Sequence, residues 1–491
     1  MVVSAKSGVL SRRAMLRKVG TSALVGSAAL AAACSVSQSP QSATAVPAGA
    51  PTAAAVTKVA TTSLAPTATA PVASVAPSST PGSKAQLQFF GSEARVAQQA
   101  IQGQLNVFTK QSGIPVEYSV ATGSQFITKL QTMMAGGTPP DMHYMDFRNF
   151  ARFVFDGQLL QLDALVSRDK YDIADFHPKY FAQCHWQGKL FANGRDFGWR
   201  QVFYNVDLFQ KAGVPLPPGT WEAPGWKFAD FLSTAEKLTQ RDSGGRTTVW
   251  GFTNATDYFG WVYSNGGRFI DETNTKAMVA EPAAINAFEF IHDMINQSKV
   301  AESPAATQEI DASTAFLTGR AAMIVSPTAT GVITYRSIKN FKWDTAPLPM
   351  GPDNVGPRHN MGGGSCWALA AHGKHLDEAW ELSKFVSGKA TQTALAKAGY
   401  APSRVSVMES SAWLDPSQPP KSQEVMSKGG DYIIGNPQVL VWNEFQTSLN
   451  KLLDDVWLGK QTAQKIAPQL KQTADDLMAK NQQLMDGKKS S

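Results

Sequence analysis

The sequence predicts an α/β fold in which parallel strands are covered by helices. Three observations predict it. The chain has 491 residues, of which 43% are hydrophobic and 17% charged, so it can bury one large core or, more plausibly, two. Strand and helix patterns alternate from Lys84 onward, and the alternation repeats later in the chain. Strand–helix–strand order at this spacing is typical of βαβ units, which build a parallel sheet with helices on both faces.

The predicted strands and helices are based on the spacing of hydrophobic residues and on the residues that begin or end a helix. Residues 86–90 predict a strand, and the next helix has Ile101 and Leu105 on one face and ends at Gly113. A second strand follows over 114–120, a helix capped by Ser124 runs to Gly136, and a third strand covers 142–145. Later helices are predicted near 229–239, 283–296, 376–386 and 444–458, and later strands near 202–205, 321–325 and 367–370.

Charge argues against a nucleic-acid partner. The net charge is +6, but residues 1–33 hold five basic and no acidic residues. Without them, 40 Lys and Arg face 39 acids, so the rest of the chain is near neutral. Binding to a phosphate backbone needs clustered cations.

The N-terminus predicts export. The segment 11–18, with Arg12 and Arg13, resembles a twin-arginine signal, and the uncharged stretch 19–33 is too short and too weakly apolar for a spanning helix. The residues before Cys34 resemble a lipoprotein cleavage box, so 1–33 is predicted as the export signal and Cys34 as the lipidated residue. A simple cleaved signal is the alternative. Residues 34–84 are rich in Ala, Pro, Ser and Thr, which predicts a disordered tether.

The sequence leaves the state of two further cysteines, Cys184 and Cys366, undecided. They can pair in an exported chain, or they can be buried thiols.

A series of short motifs carries a family resemblance. Lys129-Leu130-Gln131 opens a segment that ends in Gly136-Gly137-Thr138-Pro139-Pro140-Asp141. The stretches at 202–209, 315–323, 347–349 and 362–365 follow in order. This order resembles the extracellular sugar-binding proteins of bacterial ABC importers, the maltose-binding-protein-like solute-binding protein family 1. The resemblance spans residues 85–490.

The resemblance implies a periplasmic-binding-protein fold of type II, with a ligand held between two α/β lobes that several hinge crossings join. Lobe 1 would comprise 85–198 plus 362–403, and lobe 2 would comprise 199–361 plus 404–491. It also implies a monomer outside the cytoplasm, lipid-anchored to the cell membrane, that delivers a mono- or oligosaccharide to the permease subunits of an ABC importer. No enzymatic activity, cofactor, metal or nucleic acid is expected.

Candidate ligand contacts lie at predicted loop positions and are polar or aromatic residues, together with two glycines. Aromatic faces stack on sugar rings, while carboxylates, amides and Arg bind hydroxyls. Each has a structural alternative, because buried Trp residues are common in cores and acids commonly cap helices. The candidates are Ser92, Glu93, Asp146, Arg148, Trp199, Arg200, Tyr258, Trp261, Gly363, Gly364, Ser365 and Trp442.

Other functions have weaker support. The glycines at 362–364 fit a hinge, a phosphate cradle or a turn, but the Lys-Ser/Thr of a nucleotide P-loop is absent. His372 and His375 fall at a polar loop, where solvated histidine is commoner than a metal ligand. A secreted carbohydrate-active hydrolase is the alternative enzyme, although no spacing singles out a carboxylate pair. A scaffold lipoprotein without a small ligand is the third interpretation.

Overall fold

The computed structural model describes residues 86–489. The predicted export signal, Cys34 and the predicted tether lie outside this range. Among the described residues, no helix is long and apolar enough to cross a membrane.

Twelve strands occur in the described part of the chain. They are β1 Leu87–Gly91, β2 Val116–Val120, β3 Met142–Asp146, β4 His185–Trp186, β5 Lys189–Leu190, β6 Asn193–Asn205, β7 Gln240–Arg241, β8 Thr247–Val249, β9 Met323–Pro327, β10 Trp343–Ala346, β11 Asn360–Leu369 and β12 Ile433–Ile434.

The same range holds eighteen α-helices, besides short 3₁₀ turns and one π turn. They are α1 Arg95–Ser112, α2 Ser124–Ala135, α3 Phe147–Phe155, α4 Asp163–Asp169, α5 Pro178–Phe181, α6 Val206–Ala212, α7 Phe228–Leu238, α8 Tyr258–Ser264, α9 Pro282–His292, α10 Pro304–Glu309, α11 Ala312–Leu317, α12 Thr328–Tyr335, α13 Leu376–Val386, α14 Lys389–Lys397, α15 Val405–Met408, α16 Gln423–Lys428, α17 Trp442–Trp457 and α18 Ala463–Lys489.

The first βαβ units form as the hydrophobic pattern predicts. Helix α1 buries Ile101 and Leu105 and ends at Gly113, which is left-handed (φ 71°) and donates its N–H to the Thr109 carbonyl at 2.8 Å. Strands β1, β2 and β3 pair in parallel. The predicted cap at Ser124 is wrong, because Gly123 takes the cap position and Ser124 is the first helical residue.

The main sheet is mixed, which corrects the expectation of purely parallel strands. Eight strands join it, in the order β10-β6-β11-β3-β1-β2, with β9 on β6 and β12 on β11. Strand β11 runs antiparallel to both β3 and β6. The second half of β6 pairs antiparallel with β9 and β10. One long strand, β6, is therefore shared by both halves of the sheet.

Two hydrophobic cores flank this shared strand. The first core packs α1, α2, α13 and α14 with β1, β3 and β11. The second core packs α7, α8, α9, α17 and α18 with β9 and the end of β6. Along β6, Phe197 and Trp199 lie in the first core, while Val202 and Tyr204 lie in the second. The predicted lobe boundaries stay a prediction.

The glycines at 362–364 are neither a turn nor a phosphate cradle, because they lie in β11 and pair with β6. Gly364 has φ +106°, and a side chain there would collide with the Asp196 carbonyl. Glycine thus lets the two strands approach closely beside Ser365.

Cys184 and Cys366 are free, buried thiols. Burial raises the pKa of both thiols. The Cys366 thiol donates to the Met145 carbonyl at 3.4 Å. Both therefore serve as packing residues here.

Candidate functional site

A cleft of about 370 Å³ opens between the two cores, where β3, β6 and β11 come together. Residues from both cores border it, so a ligand in it would touch both. The lining residues are Ser92, Tyr144, Asp146, Phe147, Arg148, Arg195, Asp196, Gly198, Trp199, Arg200, Phe259, Pro327, Met361, Gly362, Gly363, Gly364, Ser365, Tyr400, Asn436 and Gln446.

A buried charge cluster forms one wall of the cleft. Arg195 pairs with Asp196 and lies 3.5 Å, Nη2 to Oε1, from Glu93. Arg195 also donates to the Ser365 hydroxyl at 2.7 Å, and that hydroxyl donates to Asp196. The side chains of Arg195, Glu93 and Asp196 are 3%, 0% and 7% exposed. Two carboxylates thus share one guanidinium beside the cleft.

The cluster shifts the acidity of its own members. Burial raises the pKa of the Glu93 carboxyl, although Arg195 and a hydrogen bond from the Tyr118 hydroxyl act in the opposite direction. Burial would lower the pKa of the Arg195 guanidinium, but Asp196 and Glu93 outweigh it and hold that pKa above its usual value. Arg195 is therefore a fixed cation that keeps the carboxylates in place.

Asp146 and Arg148 form the rim on the side of the first core. Asp146 caps α3 by accepting from the backbone N–H groups of Arg148 and Asn149 at 3.0 and 3.1 Å. Its other oxygen pairs with the Arg148 guanidinium at 3.2 Å. The Arg148 side chain is 57% exposed, so it is free to reach a ligand.

Arg200 lines the cleft on the side of the second core. Its Nε donates to both oxygens of Asp257 at 2.8 Å, and its guanidinium carbon lies 4.9 Å from the centre of the Phe259 ring. The bifurcated hydrogen bond and the ring contact fix a cation and an aromatic ring together on the side of the second core.

Two half-buried aromatic rings line the cleft from opposite sides. Tyr144 packs against the first core, and Phe259 packs against the second. Aromatic surface with charged hydrogen-bonding groups between is the chemistry that binds polyhydroxylated rings.

Of the twelve predicted site residues, eight border the cleft. They are Ser92, Asp146, Arg148, Trp199, Arg200, Gly363, Gly364 and Ser365. Trp199 is only 1% exposed, and its indole N–H donates to Gln201 at 3.0 Å, so its ring belongs to the first core. Glu93 lies one layer behind the cleft, bound to Arg195 and Tyr118.

Placing Trp261 on a cleft loop is wrong. It is fully buried in α8, and the rings of Phe228, Phe231 and Phe252 meet it edge to face at 5.4, 5.1 and 5.5 Å between centres. It is a core residue because the aromatic run 258–263 folds as a helix.

Tyr258 and Trp442 also lie outside the cleft. Tyr258 is 2% exposed, and its hydroxyl donates to Asn450 at 2.5 Å. Trp442 begins α17, is 1% exposed and stacks on Phe445 with ring centres 5.4 Å apart. Both rings are packed in the second core.

Tyr144, Arg195, Asp196 and Phe259 are cleft residues that the sequence reasoning missed. A usable signal existed for Tyr144, since it lies two residues before Asp146 in β3 and so shares its face. Arg195 and Asp196 had none, because β6 is buried on both faces and shows no alternation.

One group of side chains has metal-ligand chemistry among the described residues: Glu289, His292 and Asp293. Glu289 already accepts from the Ala463 N–H at 2.8 Å, and His292 lies 3.1 Å from Asp293. The Glu289 contact joins α9 to the start of α18, which is a structural role.

The fold and the cleft define a class: a two-lobed periplasmic-type binding protein. More specifically, the chain belongs to the family described as bacterial extracellular solute-binding proteins, whose profile matches residues 91–393. The predicted resemblance, the fold class and the expectation of a binding protein rather than an enzyme are thereby confirmed.

Individual relatives are distant. A binding protein of Brucella abortus is 23% identical over 282 residues, which cover 56% of this chain and 65% of that protein. The arabinooligosaccharide-binding protein of Bacillus subtilis is 24% identical over 263 residues, 52% of this chain and 58% of that protein. The chain thus matches less than two thirds of either relative. An ABC substrate-binding protein of Listeria monocytogenes in complex with cycloalternan has the same fold: TM-score 0.72, 22% identity, 81% of this chain and 100% of that chain.

Proposed function

We propose that the chain is the extracytoplasmic substrate-binding lipoprotein of an ABC importer, which captures a sugar or related polar solute between two lobes and delivers it to the permease. The observation that carries this proposal is the cleft between the two cores, with Tyr144 and Phe259 on opposite walls.

The chemistry of the cleft supports a polyhydroxylated ligand. Arg148, Asp146 and Ser365 offer donors and acceptors at its border, and Arg200 offers a donor on the other wall. The charges are paired within the protein, so a neutral ligand can bind without leaving an uncompensated charge. Two relatives support a saccharide: one is named for an arabinooligosaccharide, and the other binds cycloalternan.

Ligand binding would draw the two lobes together. A solute between Tyr144 and Phe259 makes contacts with both walls only when they approach each other, so its binding energy favours the closed form. The expected lobes are 85–198 plus 362–403 and 199–361 plus 404–491, with β6 and β11 as crossings.

The membrane anchor rests on the N-terminal sequence. Arg12-Arg13 followed by an uncharged stretch and Cys34 fits an exported lipoprotein. Cys34→Ala should move the protein from the membrane fraction to the soluble fraction and leave ligand affinity unchanged. A Cys34→Ala protein that still sediments with membranes contradicts the anchor without touching the binding function.

A thermal-unfolding screen against saccharides and polyols tests the binding function. A ligand present at 100 times its Kd adds about 2.7 kcal/mol to the free energy of unfolding. At least one saccharide should raise the unfolding temperature in a concentration-dependent way. If no saccharide or polyol does so, the proposed function fails.

A further inference from the structure

A second cavity, of about 470 Å³, lies next to the cleft on the side of the second core. The two spaces are neighbours along α17: Gln446 borders the cleft, and Asn450, one helical turn further, borders the second cavity. They are also neighbours along α8, where Phe259 faces the cleft and Tyr258 faces the second cavity. The two spaces therefore adjoin along both helices.

The second cavity is acidic. Three carboxylates line it, those of Glu302, Asp311 and Asp454, and none of its lining side chains in the described part of the chain is Lys or Arg. The main cleft differs, because Arg148, Arg195 and Arg200 are all among its lining residues. The two spaces thus suit different parts of a ligand.

Glu302 is the unusual member. The Glu302 side chain belongs to a residue that is only 5% exposed. Its Oε1 accepts from the Thr253 hydroxyl and from the Asn254 N–H, the latter at 3.4 Å. Its Oε2 has no hydrogen-bond partner among the described residues. A buried carboxyl oxygen without a partner is costly. Burial raises the pKa of Glu302 to about 7, so the carboxyl is close to half ionised near neutral pH.

The other charges around Glu302 leave it uncompensated. Asp311 is exposed and caps α11 through the Thr314 N–H at 3.0 Å, and Asp454 is exposed on α17. Arg200, a cation of the adjoining cleft, is already paired with Asp257. A cation from outside the protein would satisfy the unpartnered oxygen of Glu302, in a cavity that Asp311 and Asp454 also line.

We propose that the second cavity binds a protonated amino group of the ligand, as in an amino sugar, with Glu302 as its counter-ion. This inference rests on the proposed function, since the remainder of the saccharide occupies the cleft. The protein would then prefer a saccharide that carries a free amine over the same saccharide with the amine acetylated.

Matched probes test the preference: the β-1,4-linked disaccharide of glucosamine and its di-N-acetylated form, titrated calorimetrically into the full chain. Acetylation removes the charge and keeps the sugar. Charge-assisted hydrogen bonds of this kind predict about 10- to 100-fold tighter binding of the amine. Glu302→Gln, which keeps the shape and the acceptor for Thr253, should abolish the preference and leave binding of neutral saccharides unchanged.

The dependence on pH gives a second readout. Between pH 5.5 and 7 the amine is charged, and Glu302 ionises as the pH rises toward its pKa of about 7, so affinity for the amine should increase across this range. Glu302→Gln should remove that increase. Asp454→Asn, a change at an exposed position, should lower the amine preference only a few-fold and serves if Glu302→Gln does not fold.

The outcomes separate the two hypotheses. Equal affinity for the amine and its acetylated form, or a preference that survives Glu302→Gln, overturns the amine site and leaves the saccharide function intact. If neither probe nor any neutral saccharide binds, both proposals fall.

Discussion

Replacing Arg195 by Met removes the one cation that the carboxylates of Glu93 and Asp196 share. Met preserves much of the side-chain volume among the surrounding rings of Tyr144, Trp367 and Tyr400. The expected loss is therefore electrostatic. Removing one partner of a buried pair costs about 3–5 kcal/mol, because a buried charge is left uncompensated. That is a large part of the about 5–15 kcal/mol that stabilises a typical domain.

The loss should depend on pH in a defined direction. The folded state already holds the Glu93 proton more tightly than the unfolded state, because burial raises this pKa. The contribution of Glu93 to the free energy of unfolding therefore falls as the pH rises above 4.5, the ordinary pKa of a Glu carboxyl. Without Arg195 the pKa of Glu93 rises further, so Arg195→Met should cost more at pH 8 than at pH 5, where protonation relieves the charge.

Urea unfolding of the full chain at both pH values measures the effect. Arg148→Met is the matched control, since its side chain is 57% exposed and pairs with a single carboxylate, Asp146. The control should lose less than about 1 kcal/mol at either pH. A loss of that same small size for Arg195→Met at pH 8 would refute the role assigned to the buried cluster.

Two further predictions concern the core and the tether. Trp261→Ala should lower the free energy of unfolding by about 3–5 kcal/mol and leave the ligand affinity of the folded protein unchanged, because the ring is fully buried. Urea unfolding and calorimetry on the same variant check this. Weakened binding with intact stability would contradict it. A chain that begins at Lys84 should unfold and bind ligand like the full-length chain, because the segment it lacks is predicted to be export signal and tether; a loss of affinity would give residues 1–83 a role in the site.

The sequence predicted the elements with a clear local signal. Helix α13 has the predicted bounds, Leu376–Val386, and α1 ends at the predicted Gly113. In these elements the hydrophobic period and the terminal residue are properties of the segment itself.

Elements defined by distant partners were not predicted. Strand β6 has 13 residues, but only 202–205 were predicted as strand, because Asn193-Gly194-Arg195-Asp196 reads as a polar loop. These residues are extended because β11 pairs with them, and β11 comes more than 150 positions later in the chain. Its antiparallel direction likewise follows from tertiary pairing and has no local signal.

The candidate site was predicted only in part, because tertiary packing also decides which side chains border the cleft. Polar residues at the ends of predicted strands, such as Asp146 and Ser365, do border the cleft. The aromatic candidates Tyr258, Trp261 and Trp442 do not, because an aromatic residue serves a core or a cleft according to what packs around it. Phe259, which shares α8 with Tyr258 and Trp261, faces the cleft from a different side of that helix.

The central claim is that the cleft between the two cores binds the saccharide, and calorimetric titration of two phenylalanine variants tests it most directly. Phe259 and Phe290 are both half-buried and both pack in the second core, but of the two only Phe259 borders the cleft. With a saccharide from the thermal screen, Phe259→Ala should weaken binding about 5- to 150-fold, equivalent to about 1–3 kcal/mol, while Phe290→Ala should bind like the unaltered chain. Equal affinities for the two variants, or a larger loss for Phe290→Ala, would contradict the assignment of the cleft as the binding site.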